Sequence, residues 1–148
     1  MGTFMLDIYK GLFRAIKRGS KNGIISNAKP AYLIAIIDYI NSGQSKNRFL
    51  CDDKKLKNLY ENVLGEFNEV QKTPFNLPYL HLGGEPFYHI EWKSKDRPQP
   101  KSNSVPYCYL REHIEKAYLD NDLWIILQDS EVRASLRNFI ISLYFKHE

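Results

Sequence analysis

The residues with the most chemical potential here are four histidines and two cysteines, and their spacing offers no reactive constellation. None of His81, His89, His113 and His147 stands at an HxH, HxxxH or HExxH spacing, so no metal site is expected. His81 and His89 can face one another across a hairpin, but two ligands without a third read as a cross-strand polar pair. Cys51 and Cys108 lack the CxxC spacing of a zinc ribbon or a thioredoxin and read as free thiols in a reducing cytoplasm. There is no GxSxG, Walker loop or GxGxxG, and Gly83-Gly84 reads as a turn. No carboxylate pair stands out. The expectation is a protein without catalytic residues, cofactor or metal, a small carboxylate-dependent nuclease being the weakest alternative.

The cations are more informative. The net charge of the 148-residue chain is +4, unevenly spread. Lys10, Arg14, Lys17, Arg18, Lys21 and Lys29 occupy a stretch with no acidic residue. Lys46, Arg48, Lys54, Lys55 and Lys57 follow, then Lys93, Lys95, Arg97 and Lys101, while Asp120, Asp122, Asp129 and Glu131 weight the last third. Such asymmetry suits a nucleic acid or another anionic surface, against the alternative of an ordinary solvated lysine-rich face. Ser26-Asn27-Ala28-Lys29-Pro30 adds a lysine and backbone N–H groups at a helix start, a ready phosphate site. Asn76-Leu77-Pro78-Tyr79 sets apolar groups ahead of the second half. Taken singly, Lys29 reads as a solvated lysine and Pro78 as a rigid turn.

The elements that must position these groups are mostly helical. Length fits a single domain with a core of its own. Apolar spacing predicts a helix from about Leu6 to Arg18, stopped by Gly19-Ser20-Lys21-Asn22-Gly23. Ser26 or Asn27 caps a second helix with Pro30 in its first turn, apolar almost all round to Ile40 and therefore central. Asp52 or Asp53 caps a third through about Phe67. Thr73 to Pro78 is expected to be extended, and Tyr79–Leu82 and Phe87–Trp92 to form a hairpin around Gly83-Gly84-Glu85-Pro86. Lys93 to Pro106 reads as a mobile loop. Helices are expected over Tyr109–Tyr118, Asp122–Leu127 and Glu131–Phe145, the last capped by Asp129 or Ser130. The fold class is mainly α, an α+β domain with one small antiparallel hairpin. No signal peptide is visible, and Ala31–Ile40 is about half the ~20 residues a bilayer requires. A soluble cytoplasmic domain is expected.

Several segments in order resemble the N-terminal recognition domain of bacterial HNH-type restriction endonucleases, including the sulfur-binding domains that read phosphorothioate DNA. They are Lys29-Pro30-Ala31-Tyr32-Leu33-Ile34-Ala35-Ile36-Ile37-Asp38, then Asn76-Leu77-Pro78-Tyr79-Leu80-His81-Leu82, and Trp92. Ala117 to Asp129, Val132-Arg133-Ala134-Ser135-Leu136-Arg137 and Tyr144-Phe145 complete the set. The resemblance runs from about residue 24 to 145. It implies a contact surface made by the proline-opened helix start and the segment around Pro78. Ala28 stands where sulfur binders often carry histidine, and Leu77 where they commonly carry tyrosine. It also implies a DNA-recognition domain in a restriction or defence setting, with any HNH nuclease supplied outside this chain.

The expected partner is therefore double-stranded DNA, with a nuclease partner chain and no membrane. The expected contact residues are Arg14, Lys17, Lys21, Ser26, Asn27, Lys29, Pro30, Leu77, Pro78, Tyr79, Lys93 and Lys101. The alternative is a module that docks a nuclease or modification enzyme through the aromatic hairpin and acidic C-terminal helices.

Overall fold

A helix whose every side is apolar can only be stable in the middle of a domain. In the computed structural model, which describes residues 2–94 and 106–145, helix α2 (Ala28–Asn41) is that element. Every residue from Ala31 to Ile37 is buried. Ser26 Oγ accepts the Ala28 N–H at 3.2 Å, and Pro30 takes the third helical position, where no intrahelical carbonyl awaits its missing N–H. Around α2 pack α3 (Lys54–Glu66), α4 (Asn76–His81) and α7 (Ser130–Tyr144), while α1 (Gly2–Arg14) lies against α6 (Asn121–Ile126) and α7. The fold is mainly helical, as the apolar spacing predicts.

Two caps follow the sequence closely. Asp53 accepts the N–H groups of Lys55 and Leu56 at the start of α3, and Asp129 accepts that of Glu131 at the start of α7. Helix α7 is tied to α2 by Arg137, whose guanidinium forks onto Asp38 at 2.7 and 3.1 Å and reaches Glu66 at 3.3 Å.

Several expectations need correction. The first helix stops at Arg14, not Arg18, because the next residues leave its axis: the buried carboxylate of Glu85 accepts the Lys17 N–H at 3.1 Å. The stretch meant to stop it is a hairpin of its own. Strands β1 (Ser20–Lys21) and β2 (Ile24–Ile25) flank Asn22 and Gly23, which adopt φ values of 55° and 79°. Positive φ at both central residues is the tight turn that Asn-Gly favours between twisted strands.

The segment around Pro78 is helical rather than extended, and Tyr79–Leu82 is not a strand. Phe75, Pro78, Tyr79 and Leu82 are all buried, an i, i+3, i+4, i+7 pattern that turns one face of α4 and the following 3-10 turn (Leu82–Gly84) inward. Pro78 is tolerated because it lies in the first turn of α4.

Strand β3 (Tyr88–Trp92) therefore finds a different partner. It pairs antiparallel with β4 (Ile114–Leu119), which directly follows the short helix α5 (Tyr107–His113), where one continuous helix was expected. Phe49 bridges the outer edge of β4, exchanging both backbone hydrogen bonds with Ala117 at 2.9 Å. The Asn47 side chain extends that edge, donating to the Leu119 carbonyl and accepting its N–H, both at 2.8 Å. Most of the expected mobile loop, including Lys101, lies outside the described residues. Among the described residues no helix is long and apolar enough to cross a membrane.

Candidate functional site

The start of α2 and the outer side of α4 come from segments nearly fifty positions apart, and their packing opens a groove of about 370 Å³. Ser26, Ala28 and Lys29 form one wall; Leu77, Pro78 and His81 form the other; Arg18 closes the end. Leu77 and His81 share a face because they stand one helical turn apart. The floor is apolar and the rim is cationic.

Each cation is held by an identifiable partner. Arg18 donates to Asn27 Oδ1 at 2.8 Å, and its guanidinium lies 4.7 Å from the centre of the Tyr144 ring, an arrangement that orients a cation without neutralising it. Lys29 Nζ is 3.1 Å from Glu85 Oε2, the same oxygen that accepts the Lys17 N–H. Glu85 is buried while Lys29 retains some exposure. The carboxylate thus anchors two basic segments at once, and the partly exposed Lys29 lines the groove. Burial, and then the Lys29 charge, push the His81 imidazole below its ordinary pKa of 6.5. At neutral pH His81 is an uncharged ring beside an apolar floor.

This geometry gives a direct expectation. An NMR titration of the His81 imidazole should show a midpoint below the ordinary value. In Lys29→Ala the midpoint should move up, though not fully, since burial is the larger cause and remains. An unchanged midpoint in that variant would place Lys29 too far away to matter to this groove.

Ser26, Lys29, Leu77 and Pro78 are brought together as expected, and Arg18 and His81 join them although neither was singled out as a contact. Lys17 is exposed and does not line the groove, although its backbone N–H is held by Glu85. Other expected contacts lie elsewhere. Tyr79 is fully buried, its hydroxyl donating to the Phe49 carbonyl at 2.7 Å, because it turns toward α2 and away from the groove. Pro30 is buried in the first turn of α2. Asn27 is occupied internally: besides accepting from Arg18, its amide donates to Glu69 Oε2 at 3.3 Å and to the Tyr144 carbonyl at 3.2 Å.

Arg14 sits 5.0 Å over the Phe139 ring, with Lys10 on the same ring at 5.3 Å. With Arg18 on Tyr144 they form a cationic line along the α1–α7 seam, leading to the groove. Lys93 donates to the Arg111 carbonyl at 2.8 Å and lines a separate depression with Cys51 and Arg111. The Lys21 side chain and Lys101 lie outside the described residues.

The histidines do not form the expected cross-strand pair. His81 ends α4, whereas His89 on β3 bonds through Nε2 to Asp120, which also accepts the Tyr9 hydroxyl at 3.0 Å. Among the described residues no group of three or more His, Cys, Asp or Glu side chains converges as a metal site. Cys51 is buried, which raises its thiol pKa, and Cys108 is exposed. No family model matches the chain, and no curated protein matches it.

Proposed function

We propose that the chain is a recognition domain for double-stranded DNA, whose α2–α4 groove seats a backbone phosphate. The observation that carries this reading is the convergence of Arg18, Lys29 and the first turn of α2 on one apolar-floored groove. A phosphate needs cations, and Arg18 and Lys29 bring two of them to this groove. Arg14 and Lys10 extend the positive line along α1 and would neutralise neighbouring phosphates.

The floor of Ala28, Leu77 and Pro78 favours a phosphate carrying a modification, in particular sulfur in place of a non-bridging oxygen. Sulfur is larger, more polarisable and less strongly hydrated than oxygen, so an apolar floor loses less by stripping its water. The role fits a cytoplasmic restriction or defence setting in which cutting belongs to a partner chain.

The test is a fluorescence-anisotropy titration of two matched duplexes, one with a single phosphorothioate, across a salt series. Log affinity should fall with log salt at a slope of about −0.9 for each phosphate neutralised. The modified duplex should bind at least about tenfold more tightly, equivalent to about 1.4 kcal/mol. A flat salt response would overturn DNA binding, and equal affinities would remove the sulfur preference.

A second reading, docking of a nuclease or modification enzyme, gains from a different place than the aromatic hairpin. Ile24, Ile25 and Val70 are exposed together beside Phe67 along another groove, and apolar side chains grouped this way are a mark of protein contact. That reading requires a partner retained at salt concentrations that release DNA.

A further inference from the structure

One side chain of the α2–α4 groove has no part in holding a phosphate while it is uncharged. His81 stands one helical turn beyond Leu77 on the groove face of α4 and remains accessible to solvent there. We propose that His81 is a conditional cation, which takes up a proton as a phosphate is seated and so ties DNA binding to pH, an inference that rests on the DNA-binding reading above.

Its surroundings set it apart from the other described histidines. His89 bonds to Asp120, and His113 has Glu112 at 4.0 Å. Among the described residues no carboxylate or hydrogen bond favours the charged form of His81. The charged groups that share its groove are both cations, Lys29 from α2 and Arg18 from the segment after α1. Glu85, beyond the 3-10 turn, is already engaged by Lys29 and the Lys17 N–H. Helix α5 also packs on α4, yet none of its described side chains lines the groove. Partial desolvation, and then the Lys29 charge, therefore keep the ring uncharged in the free protein at neutral pH.

A bound phosphate reverses that balance. It offsets the charges of Lys29 and Arg18, which repel a third cation, and it adds a negative charge to the same groove. Both changes favour the imidazolium, so the His81 pKa rises in the complex. By linkage, a group whose pKa rises on binding strengthens binding as pH falls. The gain begins below the pKa of the complex. It is complete below the pKa of the free protein, which lies under the ordinary 6.5. Each pH unit between the two corresponds to about a tenfold gain in affinity.

The experiment titrates the full native chain and His81→Gln with one duplex at fixed low salt, from about pH 8 to about pH 5.5, a range that spans ordinary histidine titration. The affinity of the native chain should rise at least about fivefold toward the acid limit. His81→Gln, checked for native circular dichroism at both limits, should change by less than about twofold. That variant keeps His89, His113 and His147, so the difference between the two chains isolates His81. In the native chain, the NMR midpoint of the His81 imidazole should rise by about one pH unit when DNA is bound. Equal pH dependence in the two chains, or a midpoint that DNA leaves in place, would overturn the proton coupling and leave the DNA reading standing. Failure of the native chain to bind at any pH in this range would remove the DNA reading and the coupling with it.

Discussion

The Arg18→Ala, Lys29→Ala double variant is expected to bind duplex DNA at least a hundredfold more weakly than the native chain. Charge-assisted hydrogen bonds contribute about 1.5–3 kcal/mol each, so losing two from one phosphate corresponds to that fall or more. The salt response should shrink with it, by up to about 0.9 in slope for each phosphate that loses its neutralising partner. Both side chains are already oriented in the free protein, Arg18 by Asn27 and the Tyr144 ring, Lys29 by Glu85. Little ordering entropy is then due on binding, which is why the effect should exceed that of removing a free surface lysine.

Removing Lys29 also leaves the buried Glu85 carboxylate with fewer partners, and that loss belongs to stability rather than to binding. A Lys29→Met, Glu85→Gln pair separates the two, because an amide oxygen can still accept the Lys17 N–H. That pair should melt close to the native chain and still bind DNA weakly. An unchanged salt slope in the Arg18→Ala, Lys29→Ala variant would show that the groove does not hold phosphate.

The helices around α2 were legible because their signals are local. Ser26 and Pro30 open α2, Asp53 opens α3 and Asp129 opens α7 from residues within four positions of the turns they cap. Pro74 and Pro78 are extended-chain signals, but at α4 the helical period of Phe75, Pro78, Tyr79 and Leu82 overrides them. That same helix sets His81 on the face of Leu77. Strand β4 was hidden for a different reason. Its partners, β3 and Phe49, lie far away in sequence, and a six-residue run such as Ile114–Leu119 is too short for its period to exclude a helix.

The site was half legible. Ser26, Lys29, Leu77 and Pro78 were singled out from helix-start chemistry and resemblance together. Arg18 reads from the sequence as one more charge of a helix that in fact ends four residues earlier, so nothing local sets it beside Asn27. The buried Glu85 looked like part of a turn. Its role depends on Lys17 and Lys29 arriving from another part of the chain, which no local pattern encodes.

The largest expected loss of stability comes from Phe49→Ala. The Phe49 ring is fully buried, 6.2 Å from the Tyr39 ring and 6.4 Å from Trp124 in an edge-on arrangement. Truncating such a ring costs about 3–5 kcal/mol, against a total stability of about 5–15 kcal/mol for a domain. At about 2–4 °C for each kcal/mol in a chain of this size, the melting temperature should fall by roughly 10 °C. Phe49→Leu keeps most of the volume and should lose less than half as much.

The backbone around Phe49 explains why so little can compensate. Between α2 and α3 the chain has no helix or ladder of its own, and Phe49 fastens it to β4 through both of its backbone hydrogen bonds. The same carbonyl accepts the Tyr79 hydroxyl, so the Phe49 segment also holds α4 and, through α4, one wall of the groove. Calorimetry should therefore be paired with amide exchange across residues 76–81. Faster exchange there, while α7 stays protected, would show that the groove wall is fastened through Phe49. A melting shift under about 3 °C with unchanged exchange would mean that α2 packing alone holds it.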